Sequence, residues 1–185
     1  MDSAKKSFTY DVVSFALIAL AIVVPIRWFI AQPFIVRGDS MVPTFHSGDY
    51  LIVDQLSYRF EDPARGDVII MRYPKDESVY FIKRIIGLPG ETVELQGERV
   101  IIRRGPGTDA LTLEQPYLPA NSFRPEYGTY TLGEAEYFVM GDNRDESSDS
   151  RVWGTLPRRD VIGKAWLRLF PPTDIDYLPG STETQ

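Results

Sequence analysis

The chain has 185 residues and, with 26 acidic against 20 basic side chains, a formal net charge of −6. That length suffices for one domain with a real core. The acidic balance argues against nucleic acid as a partner, because phosphate binding asks for a basic face. With no cysteine, disulfides, cysteine-ligated zinc and thiol catalysis are excluded and the redox compartment is left open; with one histidine, His46, so is a multi-histidine metal site. Catalysis therefore has to run on Ser, Thr, Lys, Tyr, Asp or Glu, and no cofactor is implied.

From Val12 to Ile26 the chain is apolar apart from Ser14, and after Arg27 it continues Trp28-Phe29-Ile30-Ala31. A membrane-spanning helix needs about 20 apolar residues, Arg27 can reach the headgroups from a helix end, and Trp28 and Phe29 suit an interface. Residues 1–31 thus read as a tail and a transmembrane anchor with the lipid bilayer as partner. A cleavable signal peptide starting at Lys5 and Lys6 is the alternative; bulky Trp28, Phe29 and Ile30 stand where it needs a small-x-small site. Lys5 and Lys6 on one flank face Arg27 and Arg37 on the other, so charge does not set the orientation.

Pro33 ends any helix at the membrane exit, and Phe34-Ile35-Val36 reads as a short extended piece. Next comes the turn-rich stretch Arg37-Gly38-Asp39-Ser40-Met41-Val42-Pro43-Thr44-Phe45, with one hydroxyl at its centre. Ser40 is either a turn cap, the usual role of Ser beside Gly and Asp, or a nucleophile. The nucleophile elbow of α/β-hydrolases is excluded, because Val42 stands where its second Gly is required. His46, before the Gly48 turn, reads as a solvated loop residue. Tyr50–Val53 and Val68–Met71 are β-rich runs separated by Pro63, Gly66 and charges, and both read as strands.

Val79-Tyr80-Phe81-Ile82-Lys83-Arg84-Ile85-Ile86 is a strand by composition. Period-2 alternation puts Val79, Phe81, Lys83 and Ile85 on one face, so Lys83 interrupts an apolar row. In the final strand, Val161–Leu169, Lys164 shares its face with Arg168 and reads as solvated, while Gly163, Ala165, Leu167 and Leu169 make the buried side. A buried lysine loses charge and pKa, and a neutral amine is a competent base for a hydroxyl. Snorkelling of Lys83 to a carboxylate at the sheet edge is the other reading.

Gly87-Leu88-Pro89-Gly90 makes a turn, and Thr92–Gln96 with Val100–Arg103 forms a hairpin. Residues 105–127 are rich in Pro, Gly and Asn and read as an irregular insertion; Thr129–Leu132 and Tyr137–Met140 are further strands. The loop Gly141-Asp142-Asn143-Arg144-Asp145-Glu146-Ser147-Ser148-Asp149-Ser150-Arg151 is densely charged. A calcium loop fails on its Gly and Glu positions, which leaves a solvated turn or a functional loop. Pro171-Pro172 opens a polar, mobile tail, 171–185.

Taken together and in order, the Ser40–Phe45, Phe81–Gly90 and Gly141–Arg151 segments resemble the boxes of bacterial type I signal peptidases (leader peptidases), membrane-bound Ser/Lys endopeptidases. The resemblance covers Phe34 to Phe170. It implies a mainly β fold: an antiparallel catalytic domain of the signal-peptidase type, 32–170, behind one N-terminal transmembrane helix. It further implies that Ser40 attacks the scissile carbonyl, that neutral Lys83 takes its proton and that Ser147 orients the amine. Asp142 would pair with Arg84 and Asp149 with Arg151. Where some members carry an oxyanion-donating serine this chain has Gly38, so the hole rests on backbone N–H groups, those of Gly38 and Ser40. Val36, Met41, Phe45, Phe81 and Ile82 match positions lining the shallow pockets for small substrate side chains.

The implied partners are signal peptides of secretory preproteins. The implied setting is a plasma or thylakoid membrane, with the N-terminus cytoplasmic and the catalytic domain outside. Two other classes stand beside this reading. A self-cleaving Ser/Lys regulator needs a helix-turn-helix where this chain is apolar. A membrane-tethered β module would bind peptides without cutting them.

Overall fold

The structure, a computed structural model, describes residues 2–25, 31–105, 110–119 and 125–180. It opens with a helix, α1 (Asp2–Pro25), that begins well before the apolar run. Phe15, Leu17, Ile18, Leu20 and Val23 are exposed along it. Among the described residues no helix is long and apolar enough to cross a membrane. Trp28 and Phe29, expected at the interface, lie outside the described residues.

Twelve strands follow among the described residues: β1 (Ala31–Ile35), β2 (Tyr50–Asp54), β3 (Val68–Tyr73), β4 (Asp76–Gly87), β5 (Thr92–Gly97), β6 (Arg99–Arg103), β7 (Leu111–Thr112), β8 (Glu126–Thr131), β9 (Glu136–Met140), β10 (Leu156–Pro157), β11 (Val161–Phe170) and β12 (Asp176–Tyr177). Every pairing is antiparallel. The larger sheet runs β1-β2-β11-β3-β4-β9-β10, with β12 on β11; the smaller runs β7-β6-β5-β8. The fold is mainly antiparallel β, as the resemblance implies, and its strands include the β-rich apolar runs.

The centre of the large sheet is covered on both faces, which explains the nearly continuous apolar runs of β3 and β4. Val68, Ile70 and Ile82 pack with Val36, Met41, Phe45, Leu51 and Val53 on one side. On the other, Ile69, Met71 and Ile85 pack with Tyr137, Val139 and Leu156. Successive side chains of one strand point to opposite faces, so a strand buried on both has no polar row to spare. A third cluster joins Ile86, Phe138 and Met140 to Val93, Leu95, Val100 and Ile102 of the small sheet.

Three expectations change. Lys164 is not simply solvated: its amine meets Asp67 at 2.5 Å and its side chain is only 26% exposed. Register shifts between Ala165 and Leu167 and between Arg168 and Phe170 interrupt the alternation of β11, leaving Leu169 exposed. Val79 is exposed too, because only the second half of β4 enters the core. The tail is structured as far as Gly180: β12 pairs with β11, and the Leu178 N–H donates to the Trp166 carbonyl at 2.8 Å; residues 181–185 lie outside the described residues.

Polar groups lock the joint between the sheets. Arg65 donates to both carboxylate oxygens of buried Glu91 at 2.6 and 2.7 Å, and to the Ile86 carbonyl. Removing one partner of such a pair leaves the other charge buried and uncompensated. Arg65→Ala leaves Glu91 with the Leu88 N–H and the largely exposed Arg104. We expect it to lower unfolding free energy by about 3 kcal/mol in chemical denaturation, whereas Arg103→Ala, at a surface pair with Glu94, leaves the midpoint nearly unchanged.

Candidate active site

Three segments converge at one end of β4. The loop after β1 carries Ser40 and folds on itself: Val42 N–H donates to the Asp39 carbonyl at 3.2 Å and Phe45 N–H to the Met41 carbonyl at 2.9 Å. Val36 before the half-exposed Ser40 and Met41 and Phe45 after it are buried in the core, so the loop is pinned on either side of the serine. The charged loop after β9 holds it from across: Asn143 donates its N–H to the Ser40 carbonyl at 3.0 Å and its side-chain amide to the Asp39 carbonyl at 3.1 Å. The approach is close at Gly141, where a Cβ would collide with the Ser40 carbonyl and the Ser147 hydroxyl.

Lys83 rises from β4, paired across the sheet with Ile69, and is 3% exposed. Its Nζ lies 2.8 Å from Ser40 Oγ and 2.9 Å from the Ile82 carbonyl oxygen, and 5.2 Å from the centre of the Phe81 ring. Burial lowers its pKa from 10.5 to about 8; the carboxylates of Asp149 and Asp142 resist the shift and Arg151 adds slightly to it. Desolvation outweighs the acidic neighbours because each of those carboxylates is bound to its own arginine. In the neutral amine the Nζ lone pair faces Ser40, and the serine hydroxyl becomes the donor.

Those pairings are tight. Arg84 and Asp142 are fully buried and joined by two bonds, Nε to Oδ1 at 2.8 Å and a terminal nitrogen to Oδ2 at 2.6 Å. Arg84 also donates to the Gly66 and Gly180 carbonyls, and the Tyr117 ring lies 3.9 Å from its guanidinium carbon. Asp142 in turn accepts the Thr44 hydroxyl at 2.5 Å, which ties the pair to the Ser40 loop. Arg151 binds Asp149 at 2.7 and 2.8 Å, while Asp149 accepts the Gly141 N–H at 2.9 Å and caps the short helix α2 (Ser150–Trp153).

The remaining sites separate into three groups. Ser147 Oγ is buried beside Gly141 with no hydrogen-bond partner among the described residues; the two Lys83 bonds go to Ser40 and Ile82. His46 is exposed; its backbone N–H donates to the Asp49 carboxylate at 3.1 Å and its carbonyl accepts the Asp49 N–H at 3.1 Å, the bonds of a turn. A cleft of about 310 Å³ opens at Ser40 and Lys83, and of the residues matched to substrate pockets Val36, Phe81 and Ile82 line it. Met41 and Phe45 do not: both are filled core. Phe34, Ile35, Ile70 and Tyr80 take their place, with the Phe34 and Tyr80 rings 5.8 Å apart. Sequence reasoning also missed Thr44, Tyr117 and Asn143. Asn143 lies in the charged loop already singled out; the Tyr117 stack leaves no periodic signal.

A sequence profile of the family described as signal peptidase, peptidase S26, matches residues 9–170. A probable signal peptidase I-1 from Synechocystis sp. is 37% identical, covering 89% of this chain and 84% of its own length. A signal peptidase I from Leptolyngbya laminosa is 37% identical over 83% of this chain and 76% of its own. That of Pseudomonas aeruginosa is 34% identical over 86% and 72%. A crystal structure of a signal peptidase I from Enterococcus faecalis V583 aligns at 31% identity over 56% of this chain and 97% of that one, with a TM-score of 0.46. On the extent of these matches, the chain belongs to the signal peptidase family, peptidase S26.

Proposed function

We propose that this chain is a membrane-anchored serine endopeptidase that removes signal peptides from exported preproteins with a Ser40/Lys83 dyad. The observation that carries the reading is a buried lysine amine 2.8 Å from the hydroxyl of a serine in an apolar-walled cleft. Neutral Lys83 takes the Ser40 proton as Oγ attacks the scissile carbonyl, then returns it to the leaving amine. Water deacylates the enzyme by the same route. The charge that develops on the carbonyl oxygen needs preorganised donors. The Ser40 N–H, which meets no acceptor among the described residues, is the donor we assign. Gly38, at φ +84° and exposed, supplies the second backbone group we assign to the hole. The neutral amine has two N–H groups, one given to Ile82; the unpartnered Ser147 hydroxyl is assigned the second.

The cleft walls suit a short extended segment with small side chains, which fits the small-x-small pattern before a signal-peptide cut. The apolar run that fills the second half of α1 serves as the anchor, within residues 1–31. It places the catalytic domain, 32–170, against the outer membrane face, where the cleavage site of a translocated preprotein emerges.

Incubation of detergent-solubilised protein with a preprotein is expected to give a single cut after a small-x-small site; an intact substrate points to a peptide-binding module instead. Lys83→Ala is expected to lower cleavage by about 10³-fold or more with the fold retained by circular dichroism. The double change with Ser40→Ala costs no more than either alone, since the pair acts as a unit. His46→Ala leaves the rate unchanged. The rate should rise with pH through about 8, where the Lys83 amine loses its charge.

Stability should follow the same group. The folded-state pKa lies below the unfolded value, so below pH 8 the protein pays desolvation of a cation, and that cost fades as pH rises from 8 to 10.5. Lys83→Met is therefore expected to be inactive yet more resistant to urea at pH 7, by up to about 3 kcal/mol, and to lack the wild-type gain in stability between pH 8 and 10.5.

A further inference from the structure

The segment after β11 does more than finish the sheet. From Asp176 to Gly180 it runs as a strap across the back of the Ser40 loop. β12 fixes its first half by pairing Tyr177 with Leu167 and Asp176 with Arg168, and the Tyr177 ring meets the edge of Trp166. Leu178 then takes φ +51°, a left-handed conformation that is strained for leucine. Such strain persists only where surrounding contacts impose it; here the Leu178 N–H is held by Trp166 and Pro179 is buried. The result of the turn is to aim the Gly180 carbonyl at the Arg84 guanidinium.

Gly180 sits where no other residue fits. Its φ is +72°, and a Cβ would meet Thr44 Cγ2 at 2.5 Å, the Arg84 guanidinium at 3.1 Å and Val68 at 3.4 Å. Thr44 is thereby held on three sides. Its hydroxyl donates to Asp142, its carbonyl accepts from Arg168 at 2.9 Å, and its methyl lies against Gly180. Arg168 itself is tied to the strap region through the Asp174 carbonyl at 2.8 Å. Thr44 closes the loop that begins at Ser40, and Arg84 follows Lys83 directly in β4. The strap thus touches the supports of both dyad members and neither member itself.

We propose that the Asp176–Gly180 strap is a positioning element of the active site, with Gly180 seated between Arg84 and Thr44 to fix the Ser40 loop against Lys83. The proposal rests on the dyad reading above. It makes the strap a requirement for the chemical step and not for substrate binding, since no strap residue lines the cleft. Misplacing a nucleophile by a fraction of an ångström to an ångström is expected to lower turnover by about tenfold to a hundredfold.

The test compares full-length protein with chains ending after Tyr177 and after Gly180, using preprotein cleavage at a temperature where each is folded by circular dichroism. The chain ending after Tyr177 should lose kcat by about tenfold or more with KM within about twofold, and the chain ending after Gly180 should match full length. Gly180→Ala in the full chain should lower kcat in the same way, and adding Thr44→Ser, which keeps the hydroxyl and removes the crowded methyl, should restore part of it. Unchanged kcat after loss of residues 178–185, or a Gly180→Ala defect that appears only in KM or that Thr44→Ser does not relieve, overturns the proposal. Lys83→Ala, run alongside, separates the two claims: if it stays active the dyad reading fails, whereas an inactive Lys83→Ala with a fully active shortened chain removes the strap alone.

Discussion

The site depends on the desolvation of one amine. Lys83 comes from the middle of a sheet covered on both faces, so its Nζ is surrounded by Ser40, the Ile82 carbonyl and the Phe81 ring in place of water. Two carboxylates nearby would ordinarily restore the charge. They offset only part of the shift, because Asp142 is engaged by Arg84 and Asp149 by Arg151 in short paired bonds that take up much of their field. A protein with these arginines replaced would keep its lysine buried among unpaired acids, and the amine would hold its proton.

The same arginines place the groups they neutralise. Arg84 gathers Gly66 before β3, Asp142 after β9, Tyr117 from the insertion and Gly180 from the strap. Four stretches far apart in sequence are therefore fixed relative to Lys83 by its immediate neighbour. Asn143 and Gly141 do the corresponding work for Ser40, one by donating to the loop carbonyls and the other by having no side chain to keep the loops apart. A cationic side chain that is wholly buried is costly unless every donor finds an acceptor, and here the acceptors are the active-site loops.

What could be read in advance was local. The strands were visible as apolar β-branched runs bounded by Gly and Pro, and Lys83 stood out because an alternating pattern has no place for a charge. The charged loop could be located as well, though not which of its residues meets the Ser40 loop: Asn143 makes those bonds, and Ser147 Oγ is buried with no hydrogen-bond partner among the described residues. Met41 and Phe45 were assigned to pocket walls, but sequence cannot tell an apolar residue that borders a cleft from one that fills the space behind it. Leu169 is exposed because two bulges displace the period-2 pattern of β11 beyond Ala165, whereas Lys164 keeps its face and is partly covered by its ion pair with Asp67, which strand periodicity does not report. The strap leaves no compositional trace, since a short strand pair, the Leu178 N–H on the Trp166 carbonyl, a ring contact and a carbonyl–guanidinium bond hold it.

The account turns on the Lys83 amine losing its proton near pH 8 inside the folded protein, well below an ordinary lysine, so that the neutral base is within reach at mildly alkaline pH. Titration of the intact protein labelled with 13C at lysine Cε, followed by NMR with Lys83→Met identifying the resonance, measures this without reference to any substrate. The account predicts a midpoint for Lys83 near 8, well apart from the other lysines at their ordinary values near 10.4. A Lys83 midpoint among those of the other lysines would mean that the amine carries its proton beside Ser40, and would contradict its role as the base.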